Sequence, residues 1–79
     1  MKAKVYITPK QGILDPQGVT IERSLPALGF EGVSNVRVGK YIELELPAGD
    51  QAAAEVDAMC QKLLANPIIE DFRFELVSD

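Results

Sequence analysis

The sequence predicts an α+β two-layer sandwich, and three observations predict it. Apolar and polar residues alternate near both ends and in the middle of the chain, at the period of half-buried strands. Two intervening stretches switch to helical spacing. Short groups of Gly, Pro, Asn and Asp separate these stretches, so the order reads strand, helix, strand, strand, helix, strand.

The first strand covers Lys2 to Thr8, with Ala3, Val5 and Ile7 on one side and Lys4, Tyr6 and Thr8 on the other. Lys10 to Gly18 then connects it to the first helix. Gly12 suits a positive φ, Asp15 accepts from the free amides of the first turn, and Pro16 fits the first helical position. Ile21, Leu25 and Leu28 recur at helical spacing, with Glu22 and Arg23 opposite. Pro26 has no N–H to donate to the carbonyl of Glu22, so the last turn is expected to loosen there and stop at Gly29.

Val33 to Val38 and Ile42 to Leu46 read as two strands around Gly39. Pairing Val38 with Ile42 and Val36 with Leu44 keeps the apolar residues on one face. That register predicts a three-residue connection through Gly39, Lys40 and Tyr41. Asp50 is expected to cap a second helix, with Ala52, Val56, Met59 and Leu63 as its buried stripe and Ala53, Cys60 and Leu64 widening it. Asn66-Pro67 ends this helix. Ile68 to Val77 is the last strand, with Phe72, Phe74 and Leu76 inward and Asp71, Arg73 and Glu75 outward. Two βαβ units with such short connections form, most economically, a ferredoxin-like βαββαβ fold. It has an antiparallel four-stranded sheet, both helices on one face, and one domain spanning residues 1–79.

A chain of 79 residues buries only about 60–65% of its unfolded surface, so self-association is a ready source of further burial. Eight basic and twelve acidic residues give a net charge of -4 with no run of either sign, which disfavours a nucleic-acid-binding face. The single cysteine, Cys60, rules out an internal disulfide and fits a reducing cytoplasm. No apolar run approaches the roughly 20 residues that span a bilayer. The N-terminus enters a charged, alternating strand, as expected of a chain without a signal peptide.

Candidate chemistry is sparse. Histidine is absent, which removes the commonest general base and metal ligand. Cys60 lies on the apolar stripe of the second helix and reads as a structural thiol. Glu43 and Glu45 alternate with apolar residues and read as a solvated sheet face, and the pair Glu70 and Asp71 is the weaker metal candidate. Gly12 and Gly18 are too isolated to make a phosphate loop. The strand bearing Glu43 and Glu45 lacks the stacking aromatics of RNA-binding sheets. Lys10, Arg37 and Lys40 stand near loop tips, as an anion-friendly patch or as solubilising charges. A domain with conspicuous loops and no nucleophile–base pair points to an interaction module before a free-standing enzyme.

Three segments together resemble one family: Lys10-Gln11-Gly12-Ile13-Leu14-Asp15-Pro16-Gln17-Gly18, Val36-Arg37-Val38-Gly39-Lys40-Tyr41, and Met59 through Asp71. They look like the PurS subunit of phosphoribosylformylglycinamidine (FGAM) synthase, over nearly the whole chain and in the family's order. The resemblance implies an accessory subunit of a C–N ligase complex in de novo purine biosynthesis, located in the cytoplasm. Such a subunit bridges a glutaminase (PurQ-type) and a synthetase (PurL-type) and assists ammonia transfer. The complex converts FGAR to FGAM with glutamine and ATP. The subunit carries no catalytic residues or metal of its own, since ATP and Mg are used by the synthetase, and it forms a homo-oligomer, a dimer or a tetramer. Lys10, Gln11, Asp15, Gln17, Arg37 and Lys40 are then the expected partner-binding residues, with Tyr6, Ile69 and Val77 on an open sheet face or edge that a second copy would cover.

The alternative is an ACT-like small-molecule-sensing domain, also ferredoxin-like. Such domains bind amino acids beside the first strand–helix loop, a pattern that Asp15-Pro16-Gln17-Gly18 loosely echoes.

Overall fold

Strand β1 (Lys2–Pro9) forms the middle of the sheet because its inward side chains are the ones that disappear from solvent: Ala3, Val5 and Ile7 are all buried. The computed structural model describes residues 1–78, so Asp79, the last residue of the expected 1–79 domain, lies outside the described residues. β2 (Lys40–Glu45) and β3 (Glu70–Val77) flank β1 in the order β2-β1-β3, both antiparallel to it. The register aligns apolar rows across the three strands. Ala3 lies between Leu44 and Leu76, and Val5 lies between Ile42 and Phe74. A slip of one residue would turn these rows to solvent, so their match fixes the pairing.

Helix α2 (Ala52–Met59) covers that face, placing Ala52, Val56 and Cys60 in the same core. Each fully buried Val or Ile side chain there contributes about 1.5–3 kcal/mol. The expected stripe through Met59 and Leu63 is corrected: Leu63 is 82% exposed, whereas Leu64 packs on the core and Ala65 is buried. The cause is a π turn over Cys60–Leu64, closed by the Ala65 amide donating to the Cys60 carbonyl. Its extra residue per turn rotates Leu63 off the sheet and brings Ala65 in. The expected Asp50 cap is also corrected. Gln51 precedes the helix without a side-chain bond, and the Ala52 amide donates to the Gly49 carbonyl.

The four-stranded expectation is corrected to three strands among the described residues. Residues 33–38 form no strand, and no hairpin joins Val38 to Ile42. Ile42 and Leu44 pair with β1 instead, and Tyr41, expected in a loop, lies in β2 opposite Tyr6. Two causes keep residues 33–38 out of the sheet. Gly32 and Asn35 take φ of 83° and 59°, which breaks an extended run. The amides of Val36 and Val38 donate to side chains of the first helix, leaving them unavailable for a ladder.

That helix, α1 (Pro16–Ser24), behaves as its local sequence predicts. Pro26 ends the α-helical bonding, a 3-10 turn continues over Pro26–Leu28, and Gly29 closes it at φ 96°. The expectation that both helices bury apolar stripes on one face is corrected, because α1 supplies no side chain to the core. Ile21 and Leu28 are 43% and 70% exposed. The described chain is correspondingly extended, 49 × 28 × 14 Å, with a radius of gyration of 15.9 Å. A compact chain of this length would have about 12 Å.

Candidate partner-binding site

The three segments singled out in the sequence meet at one end of the sheet, the end where β1 leaves and β2 and β3 begin. The junction is built from side chains that satisfy backbone groups. Asp15 uses both carboxylate oxygens: Oδ1 accepts from the Gly18 amide at 3.0 Å, and Oδ2 accepts from the Val38 amide at 2.8 Å. The first bond caps α1, and the second ties the helix start to the segment before β2. Glu22, two turns further along the same helix face, accepts from the Val36 amide at 3.0 Å. Gly18 sits between these carboxylates because a Cβ there would lie 2.5 Å from both Asp15 Oδ2 and the Val36 carbonyl oxygen. Gly39 likewise admits the Ile7 carbonyl oxygen where a Cβ would stand.

The Gly18 amide, then the Val38 amide, hold the Asp15 carboxyl below its ordinary value, with a weaker pull from Arg37. Asp15 is therefore a structural clamp, each of its carboxylate oxygens holding one backbone amide. Sequence reasoning missed Glu22, which was placed on the outer face of the helix. Its signal was available: positions 15, 18 and 22 fall on one helical stripe.

Lys10 and Lys40 reach the start of β3. Lys10 Nζ pairs with Asp71 at 3.1 Å, while its backbone amide donates to the Ile69 carbonyl at 2.8 Å. Lys40 Nζ lies 3.8 Å from Glu70, whose other oxygen accepts from the Asn66 amide. These surface pairs orient the loops and contribute only about 0–1 kcal/mol each. Glu70 and Asp71, weighed as metal ligands, thus serve as counter-ions for two lysines. Among the described residues no group of three or more His, Cys, Asp or Glu side chains is placed to hold a metal.

Lys10, Gln11, Asp15 and Arg37 line one groove of about 510 Å³ together with Ile13 and Leu14. The structure separates the other two expected residues from it. Gln17 faces a second depression beside Thr20, Ile21 and Val38, and Lys40 stays with Glu70. Ile13 and Leu14, 39% and 80% exposed, belong to the groove and were not among the expected residues.

The opposite sheet face carries a separate cluster. The Arg73 guanidinium lies 3.9 Å from the Tyr6 ring centre, and the Tyr6 and Tyr41 rings are 5.1 Å apart. Tyr41 donates to Glu43 at 2.6 Å, which pushes its hydroxyl up to about 12 and holds the Glu43 carboxyl down. Burial raises the Cys60 thiol, as suits a structural side chain.

This arrangement can be set beside known proteins. The family model described as "PurS: Phosphoribosylformylglycinamidine (FGAM) synthase" matches residues 2–78. The chain belongs to the PurS family. The subunit PurS of phosphoribosylformylglycinamidine synthase from Synechocystis is 47% identical over 77 residues, covering 95% of this chain and 77% of that protein. Bacillus subtilis PurS in its C2 crystal form superposes with a TM-score of 0.82 at 44% identity, covering 94% of each chain. A chain in the structure of PurLQS from Thermotoga maritima matches with a TM-score of 0.77 at 30% identity, over 94% of this chain and 93% of that one.

Proposed function

We propose that this chain is the accessory subunit of a phosphoribosylformylglycinamidine synthase, an ATP- and glutamine-dependent C–N ligase complex of de novo purine biosynthesis. The family match over residues 2–78 carries the reading. The role is to bridge a glutaminase and a synthetase and to help ammonia pass between them, with FGAR converted to FGAM on the larger subunit. ATP and magnesium belong to the synthetase, and this chain contributes shape. A route closed to water between subunits needs complementary surfaces more than reactive groups. No helix among the described residues is long and apolar enough to cross a membrane, and the buried, reduced Cys60 suits the cytoplasm in which we place the complex.

The partner surface in this reading is the loop end of the sheet, with Lys10, Gln11, Gln17, Arg37 and Lys40 as its polar groups and Asp15 as the clamp beneath them. The complex also contains this chain as a homo-oligomer. The extended shape, the open edges of β2 and β3 and the uncovered apolar residues of α1 support self-association. The amino-acid-sensing alternative gains no support from Asp15-Pro16-Gln17-Gly18, whose carboxylate holds two backbone amides of the chain itself.

Reconstitution tests this directly. Omitting the chain from a mixture with both larger subunits should abolish glutamine-dependent synthesis and spare ammonia-dependent synthesis. Full glutamine-dependent activity without it would end the proposal. Lys10→Glu, which sets a negative charge against Asp71, should weaken assembly while the isolated chain stays folded. Unchanged assembly would reduce the loop to a turn.

A further inference from the structure

We infer that two copies of this chain join through the arm formed by residues 16–38, antiparallel about a two-fold axis, with Leu28 and Phe30 of each copy set against the depression beside Ile21 of the other. This rests on the homo-oligomer of the reading above and names its surface. Area sets the scale. The chain exposes 5724 Å², whereas a folded monomer of 8.6 kDa exposes about 4,700 Å². The surplus of roughly 1,000 Å² is of the size that each partner gives to a standard interface, about 800 Å². The arm is where burial is missing. Of residues 16–38 only Gly18 is buried, while Val19, Ile21, Leu28, Phe30 and Val33 are all exposed.

Charge decides which open surface can meet its own copy. Residues 16–38 carry two acidic groups, Glu22 and Glu31, and two basic ones, Arg23 and Arg37, so the whole net charge of -4 falls outside the arm. The sheet edges differ. β2 sets Lys40 against Glu43 and Glu45, and β3 sets Arg73 against Glu70, Asp71 and Glu75. Edge-to-edge pairing of two copies would therefore bring surplus carboxylates together, which is unfavourable, whereas two neutral arms meet without that cost. Shape then fixes the direction. A depression of about 420 Å³, lined by Pro16, Gln17, Thr20, Ile21 and Val38, lies at the start of α1. Leu28 and Phe30, 70% and 58% exposed, stand at the far end of the helical run. An antiparallel two-fold places each copy's projecting end on the other's depression, the reciprocal contact that an isologous interface requires. The Val36 and Val38 amides, held by Glu22 and Asp15, keep the arm ordered before it pairs and lower the entropy cost of docking.

Sedimentation of the isolated chain tests this without the larger subunits. The wild type should self-associate, and Leu28→Asp should weaken that association by roughly thirtyfold or more, the effect of losing an interface anchor. Leu28→Ala should show a smaller loss. Circular dichroism of each variant checks that the fold persists, as the exposure of Leu28 predicts. Association should change little between low and high salt, because neutral arms meet, whereas acidic edges would associate more strongly as salt screens them. In parallel, a photo-crosslinking residue (Phe30→p-benzoylphenylalanine) should capture residues 16–21 or Val38 of a second copy. Unimpaired association of Leu28→Asp, or capture of β2 or β3 of the second copy, overturns the inference. A wild-type chain that stays monomeric overturns it too, and leaves the accessory role to be decided by the reconstitution described above.

Discussion

The two helices are attached to this protein by different physics. Helix α2 is held by apolar contact: Ala52, Val56 and Cys60 lose almost all their solvent against β1. Helix α1 is held by hydrogen bonds, with Asp15 and Glu22 gripping the amides of Val38 and Val36. The first attachment is non-directional and grows with area. The second depends on the placement of two carboxylates and one missing Cβ. The difference explains why one half of the molecule is a layered sandwich and the other an extended arm with its apolar residues uncovered. An arm of that kind is suited to a protein whose remaining burial comes from partners.

The largest effect is expected in the sandwich. Ile7, 1% exposed at the centre of the core, loses both its transfer energy and its packing on truncation. Ile7→Ala should cost roughly 2–5 kcal/mol. For a 79-residue chain with only a few kcal/mol of total stability, urea unfolding of the variant should show little or no folded baseline. A loss below about 1 kcal/mol would mean that the sandwich is not the stabilising half.

Gly18→Ala attacks the arm instead. The new Cβ meets Asp15 Oδ2 and the Val36 carbonyl oxygen, so the clamp must open. Overpacking of this sort costs about 1–3 kcal/mol. Hydrogen exchange separates the regions: protection of the Val36 and Val38 amides should collapse while that of the β1–β3 amides persists. Equal loss in both regions would show that arm and sandwich unfold as one unit.

How much was legible in advance follows the same division. The sandwich could be read because periodicity reports burial: the alternation around Ala3, Val5 and Ile7 and around Phe72, Phe74 and Leu76 gave the strands and their inward faces. The start and end of α1 could be read because Asp15-Pro16, Pro26 and Gly29 act locally. Val33 to Val38 misled because its alternating valines carry the same pattern as a strand. The deciding interactions come from Asp15 and Glu22, 23 and 14 residues away. A carboxylate that takes an amide out of a ladder leaves no trace in hydrophobic period. The π turn after Met59 is similar, since nothing in Cys60-Gln61-Lys62-Leu63-Leu64 distinguishes it from a regular helix end. Of the groove, the sequence showed Lys10, Gln11, Asp15 and Arg37 as loop polar groups. It did not show that Asp15 would hold the amides of Gly18 and Val38 or that Lys10 would turn to Asp71.

The gentlest probe of the clamp is protonation of Asp15. Its folded-state carboxyl lies below the ordinary value of 3.8 because the Gly18 and Val38 amides donate to the ionised form. A depressed acid contributes stability that is fully present above 3.8 and is lost as pH falls from there through the folded value. Asp15→Asn keeps an oxygen for the Gly18 amide but turns an N–H2 toward the Val38 amide, donor against donor. Near neutrality the variant should be the less stable protein by urea midpoint, and the gap should narrow as pH drops below 3.8, because the wild type is then losing what the variant never had. A gap that stays constant with pH would mean that the arm is held by shape and not by the charge of Asp15.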